Sequence, residues 1–386
     1  MKISSIMFEL LRFEIAGTPL SDEIKNAITG DVLGSLYRLS KSHDLVHLAA
    51  DALEKNGLFS EDSAAKNKFV QDRNMAVYRY EQMQYEYERI CEVLERAEID
   101  YIPLKGAVIR SLYPEPWMRT SCDIDILVRE EDLEKTVKTL QAELKYQTDG
   151  KKAYHDISLY SENGVHLELH FNICETMENI DKLLSCVWDY AERQSENGHR
   201  FCLKTSFFIF HILAHMSYHF VSGGCGVRPL LDLWILKRKL GYDEREVERL
   251  CQECELLPFY HSVCQLSEVW FSGAKSDELS NEVADYILGA GVYGSSKNSV
   301  MSKTIKEGGR FQFIVRYLFL PYSAMARLYP VLIKHKWLLP ICWVRRWFSR
   351  LFQGKAKKAA ERIKLSRTQT DEELIKTKDM FEKLGL

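Results

Sequence analysis

The stretch 101-YIPLKGAVIRSLYPEPWMRTSCDIDILV-128 sets two aspartates, Asp123 and Asp125, in an apolar run of Ile124, Ile126, Leu127 and Val128. A strand over 122–128 accommodates both. Side chains alternate along a strand, so Asp123, Asp125 and Leu127 share one face, and Ile124, Ile126 and Val128 face the core. Two like charges on one face repel unless something positive stands between them, and a divalent cation held by oxygen ligands is the usual remedy. Downstream, YHDISLY (154–160) and VHLELHF (165–171) read as two strands joined by Glu162-Asn163-Gly164, where Asn-Gly is a strong hairpin signal. On the second strand Val165, Leu167, Leu169 and Phe171 point inward, and His166, Glu168 and His170 project together. Glu168 is thus the candidate third acid, with Asp156 on the other hairpin strand as its competitor. Upstream, Leu104-Lys105-Gly106-Ala107 follows a strand and opens a helix, AVIRSLY. A glycine there lets the backbone approach a phosphate, and a helix N-terminus offers free N–H groups.

These residues resemble the nucleotidyltransferase superfamily with the DNA polymerase β-like fold, whose signature is a glycine-containing turn and helix followed by a strand bearing Asp-x-Asp. More narrowly, 66–240 is similar to a bacterial nucleotidyltransferase-like family of uncertain substrate: Leu-Lys-Gly, an Arg four residues before Asp-Ile-Asp, and a later Leu-Glu-Leu-His stand in the expected order. The resemblance implies an α+β fold, a polymerase β-like core (a small mixed sheet with helices) flanked by N- and C-terminal helical regions. It implies that Asp123, Asp125 and Glu168 are catalytic and hold Mg2+ or Mn2+. Lys105, Gly106, Ala107, Arg119 and His170 are then expected to bind the nucleotide, with Lys105 and Arg119 as phosphate partners. The implied reaction moves a nucleoside monophosphate from an NTP to a hydroxyl on a small molecule, a protein or an RNA by a two-metal mechanism. The chain departs from the superfamily at Gly106-Ala107, where Gly-Ser or Gly-Gly is usual. The lost hydroxyl favours a rival reading, a non-catalytic binding or accessory protein of the same fold.

Four regions are expected: helical 1–98, the nucleotidyltransferase core 99–178, a helical domain 179–300 and a basic, aromatic 301–386. With 46% apolar and 28% charged residues the chain is an ordinary globular one, and no run approaches the roughly 20 apolar residues that span a bilayer. Ten irregularly spaced cysteines and an N-terminus without a secretory cleavage pattern predict a cytoplasmic protein with reduced thiols.

Three further constellations carry expectations. His211, His215 and His219 share a helix face, a geometry that binds zinc only with a further ligand, and FFIF and ILA around them predict a buried helix instead. In the same region Arg228 and Asp232 predict an ion pair bracing the helical domain against the catalytic one. Cys251, Cys254, His261 and Cys264 resemble a zinc cluster in composition, but Leu250, Leu256, Leu257, Phe259 and Val263 make a helix pair sufficient. In Ile341–Phe352, Arg345, Arg346, Ser349 and Arg350 fall on one stripe and Ile341, Val344, Trp347, Phe348, Leu351 and Phe352 on the other, a cationic amphipathic helix. It lies in Arg327–Arg367, which carries +11 within a chain of net charge −3. A solvated helix face, an anionic surface at the inner membrane face, and RNA or an acidic partner are the open readings of this segment.

Overall fold

The computed structural model describes residues 1–59, 64–292, 294–352 and 356–386, and leaves aside the side chains of residues 64, 350–352, 356 and 358. The fold is α+β. Its centre is a mixed sheet in the order β1-β2-β4-β3, built from β1 (Tyr101–Pro103), β2 (Asp123–Val128), β3 (Asp156–Tyr160) and β4 (His166–His170). β2 and β4 run parallel, with β1 antiparallel to β2 and β3 antiparallel to β4. The Asn163-Gly164 hairpin forms as its sequence demands, with Gly164 at φ 78°.

Alternation decides what each face of the sheet does. Ile124, Ile126, Val128, Leu167, Leu169 and Phe171 are buried in one core with Met83, Ile90, Val93 and Leu94 of the helix Ala64–Arg96 and Leu133 and Leu140 of the helix Leu133–Leu144. Each such aliphatic side chain contributes about 1.5–3 kcal/mol of burial. A register slip of one residue would turn the aspartates into this core, so the pairing is strongly specified.

Several local expectations are corrected. AVIRSLY is not a full helix: one α-turn, Gly106–Ile109, passes into the 3-10 turn Arg110–Leu112. Pro114 is the cause, since it excludes Tyr113 from the α region, and Tyr113 takes φ −72°, ψ 157°. The expected continuous helical pattern after Ile180 is interrupted by a two-stranded ribbon, β5 (Ala191–Arg193) and β6 (Phe201–Leu203). In the N-terminal region Gly57 ends a helix, whereas Gly30 begins one.

The chain divides, apart from its last two residues, into two compact units, Met1–Tyr218 with Gly226–Asn281, and His219–Cys225 with Glu282–Leu384. The second unit is helical. In it Met325, Leu332 and Cys342 form a small core to which Tyr322, Leu338 and Trp343 pack. The helix Leu339–Phe352 departs from the expected stripes: Arg346 is buried against the Tyr317 and Leu318 carbonyls, while Ile341, Val344 and Phe348 are exposed. The Trp343 and Trp347 indoles donate to the Leu320 and Leu318 carbonyls, and these polar anchors choose the inward face. The expected positions of Arg350, Leu351 and Phe352 lie outside the described side chains. Among the described residues no helix is long and apolar enough to cross a membrane.

Candidate active site

The parallel pairing of β2 with β4 sets Asp123 opposite His166 and Asp125 opposite Glu168. All four project from the sheet face away from the core. Two sets of ligand atoms converge there, Asp123 with His166 and Glu168, and Asp125 with Glu168 and His170, each set within 4.8 Å. Glu168 belongs to both. Asp156 belongs to neither; it lies opposite His170 on β3, with His155 Nε2 3.5 Å from its carboxylate. Exposure falls along the face, from half-buried Asp123 and His166 to Asp125 at 5% and His170 at 2%. The site therefore has one open end and one closed end.

Lys105 Nζ donates to Asp125 Oδ1 at 3.0 Å, and His170 Nε2 donates to the same oxygen at 2.9 Å. Burial by itself would raise the Asp125 pKa, but Lys105 and His170 hold it far below the usual carboxylate range. The neighbouring acids carry the cost. Burial, then the charges of Asp125 and Asp123, push Glu168 up to about 8, and burial with Asp125 raises Asp123. In the metal-free chain one proton thus resides on Glu168 rather than Asp125. Burial lowers the His170 pKa, so its imidazole is a neutral donor to an ionised acid.

The turn is held from two sides. Lys105 adopts φ 41°, ψ −113°, a conformation that costs of order 1–3 kcal/mol for a side-chain-bearing residue and persists only when its surroundings impose it. Its carbonyl accepts from the Val108 and Ile109 amides while its ammonium is fixed on Asp125. The Ala107, Val108 and Ile109 amides are already bonded within the turn, so the free helix N-terminus expected there is much reduced. A Cβ added at Gly106 would meet Ser121 and Arg110 at 3.5 Å, ordinary contact, so packing within the chain does not demand a glycine.

Arg119 lies elsewhere in the network than its expected phosphate role implies. At 9% exposure its Nε donates to both Asp232 carboxylate oxygens, at 2.8 and 3.0 Å, and Tyr113 Oη donates to Asp232 at 2.7 Å. The expected pairing of Arg228 with Asp232 gives way to a longer-range arrangement: Arg228 bonds Asp44 at 2.8 Å and the Thr120 carbonyl at 3.0 Å. Together these bonds tie 113–120 to the helix Arg228–Lys239 and to the segment before the helix Val46–Lys55.

Two histidines join the site without having been assigned to it. His166 was legible, since strand alternation already places it beside Glu168. His211 was not: it is 1% exposed, with Lys105, His170 and Asp125 close enough to act on its charge after burial has lowered its pKa. Its helix partner His215 bonds Glu175 instead of a metal set. Among the described residues, neither the three helix histidines nor the Cys251–Cys264 group forms a set with metal-ligand spacing.

Carboxylates from adjacent parallel strands beside a Lys-Gly turn, on a small mixed sheet flanked by helices, define a nucleotidyltransferase-like protein. The chain belongs to the uncharacterised nucleotidyltransferase family, whose family model matches residues 33–272. No curated protein and no solved structure matches it.

Proposed function

We propose that this protein transfers a nucleoside monophosphate from an NTP to a hydroxyl acceptor, with Asp123, Asp125 and Glu168 as the ligands of Mg2+ or Mn2+. The observation that carries the reading is the sharing of Glu168 between two ligand sets on one sheet face. The donor chemistry fits: three carboxylates offer the oxygens that hard divalent cations take, and Lys105, the cation now on Asp125, marks the charge the site requires. A bound ion would neutralise the triphosphate and ease ionisation of the acceptor hydroxyl. Lys105, Gly106 and Ala107 line the phosphate turn, with the Lys105 ammonium as its charge. The Glu168 carboxylate, which a bound cation would keep ionised, suits the acceptance of the acceptor-hydroxyl proton. His170 holds Asp125 in place, and Arg119, engaged by Asp232, is assigned a positioning role for 113–120.

The test is incubation of the purified chain with labelled NTPs, Mg2+ or Mn2+ and a cell extract. Label transfer that Asp125→Asn and Asp123→Asn abolish, with the fold retained, is expected. Transfer that persists in both variants with unchanged metal dependence would remove the two-metal assignment, and absence of transfer with every NTP would favour the non-catalytic reading that Ala107 supports.

A second reading concerns the other unit. Trp337 is 72% exposed and Phe348 56%, with Ile333 and Ile341 also exposed, in a segment where Arg327, Lys334, Lys336 and Arg345 are exposed cations. This combination supports association with an anionic membrane surface, a location peripheral to the inner membrane face.

A further inference from the structure

The first unit holds a second concave site, a cavity of about 470 Å3, within the range of small-molecule pockets. Ala107 of the phosphate turn lines it, but neither Lys105 nor any of the three clustered acids does. One wall is the helix Ala64–Arg96, whose Tyr80, Gln84 and Tyr87 recur at helical spacing and so share a face. Other walls bring Arg110 from the turn after β1, and Arg200 with Phe201 from the β5–β6 ribbon.

The charge of this cavity is one-sided. Two guanidinium groups line it, and among the described residues no aspartate or glutamate does. Among the described residues Arg110 donates only to neutral acceptors, the Gly106 carbonyl at 2.9 Å and Ser121 Oγ at 3.0 Å, and it lies 5.9 Å from the Tyr80 ring. Arg200 lies 5.9 Å from the Tyr87 ring, and its Nε is buried without a hydrogen-bond partner. A buried guanidinium N–H left without an acceptor is costly, and two cations on one cavity, neither ion-paired with a carboxylate among the described residues, add to that cost. An anion relieves both. A carboxylate is satisfied by one arginine fork, whereas a phosphate presents three acceptor oxygens and can meet cations from two walls. The Tyr80, Tyr87, Phe201 and Phe208 rings supply flat apolar faces beside it.

We propose that this cavity binds a small aryl phosphate, a planar ring carrying a phosphate group, with Arg200 and Arg110 as the charge partners and the aromatic walls holding the ring. Occupancy also reaches the candidate active site. The Arg110 guanidinium that would meet the phosphate is the one bonded to the Gly106 carbonyl and to Ser121, and Ser121 Oγ in turn donates to the Asp123 carbonyl at 3.0 Å.

The experiment is calorimetric titration of the full chain, in metal-free buffer, with phenyl phosphate, phenol and inorganic phosphate. Saturable binding of phenyl phosphate, tighter than that of either fragment, is expected. Arg200→Gln should weaken it about tenfold or more, the effect of losing a hydrogen bond between charged groups. Gln84→Trp, which fills the cavity and leaves both arginines, should abolish it, with circular dichroism verifying the fold of each variant. Absence of saturable phenyl phosphate binding to the wild-type chain, affinity unchanged in both variants, or inorganic phosphate binding as tightly as the aryl phosphate would overturn the proposal.

Discussion

The sheet face around Asp125 and the segment Arg327–Phe348 break the ordinary division of inside and outside in opposite ways. The first buries charge. The second exposes large apolar side chains. Asp125 and His170 are withdrawn from water and Lys105 is half-buried, yet Asp125 carries two hydrogen bonds to one oxygen, and the neighbouring acids absorb the imbalance through raised pKa values. Among the described residues nothing comparable covers Trp337, Ile341 or Phe348. Buried charge that is compensated from within is a finished structural solution, whereas an exposed apolar group retains free energy that only a partner can recover. The contrast also orders the expected consequences of mutation: large where a compensated charge loses its partner, small where an exposed ring is trimmed.

The largest effect should come from Asp232→Asn. Arg119 and Asp232 are 9% and 4% exposed as side chains, and the substitution would strand a guanidinium that water cannot reach. Removing one member of a buried pair costs about 3–5 kcal/mol. The triple change Tyr113→Phe, Arg119→Met and Asp232→Leu should recover most of it, because apolar replacement removes both desolvation costs together and leaves no buried hydroxyl without its acceptor. Urea unfolding of the wild type and the two variants measures this. A loss below about 1 kcal/mol for Asp232→Asn would place the pair with exposed ones and erase this half of the contrast.

How much of the site could be read from the sequence follows the range of the interactions involved. Which side of β2 and of β4 each residue takes was legible because strand period is local, but the parallel pairing of β2 with β4 that brings Asp123, Asp125, Glu168 and His166 together is long-range, and neither the period nor the Asn163-Gly164 turn encodes it. The β5–β6 ribbon went unread, although Asn197-Gly198 offered the same turn signal, because three-residue strands around charged residues carry no apolar alternation. Arg119 shows the real limit: its partner is 113 residues away, and spacing said nothing of which carboxylate it would meet. In Leu339–Phe352 the apolar stripe was correctly seen as a helix, but the inward face was chosen by indole and guanidinium bonds to carbonyls at 317–320, which periodicity does not encode.

A pH experiment sharpens the account of the acids. Glu168 is raised from an ordinary 4.5 to about 8, so between those values the folded, metal-free chain keeps a proton that the unfolded chain has released. Stability then falls as pH rises through that window, since the slope follows protons bound in the unfolded state minus those in the native state. Asp123, raised as well, acts in the same direction, while Asp125 is held too low to titrate there. Glu168→Gln should flatten the decline. Thermal unfolding in EDTA from pH 5 to 8 tests it: equal slopes in variant and wild type would mean that the proton is not held on Glu168.

The smallest change in stability, and the one that tests the other half of the contrast, is expected from trimming the exposed rings. Trp337→Ser with Phe348→Ser removes side chains that touch mostly solvent, so each should alter stability by no more than about 0.5 kcal/mol. Binding to vesicles should respond far more. Each cation near an anionic lipid surface is worth about 1 kcal/mol, and Arg327, Lys334, Lys336 and Arg345 are free of the burial that removes Arg346 from contact. Flotation with liposomes of graded anionic content should therefore recover the wild-type chain increasingly with anionic lipid and decreasingly with salt. The double serine variant should keep the salt dependence and lose recovery at every composition, because the rings add an interfacial term that screening does not touch. Equal recovery on neutral and anionic vesicles, or none on either, would separate the exposed rings from any membrane. The apolar surface of this unit would then require a protein partner.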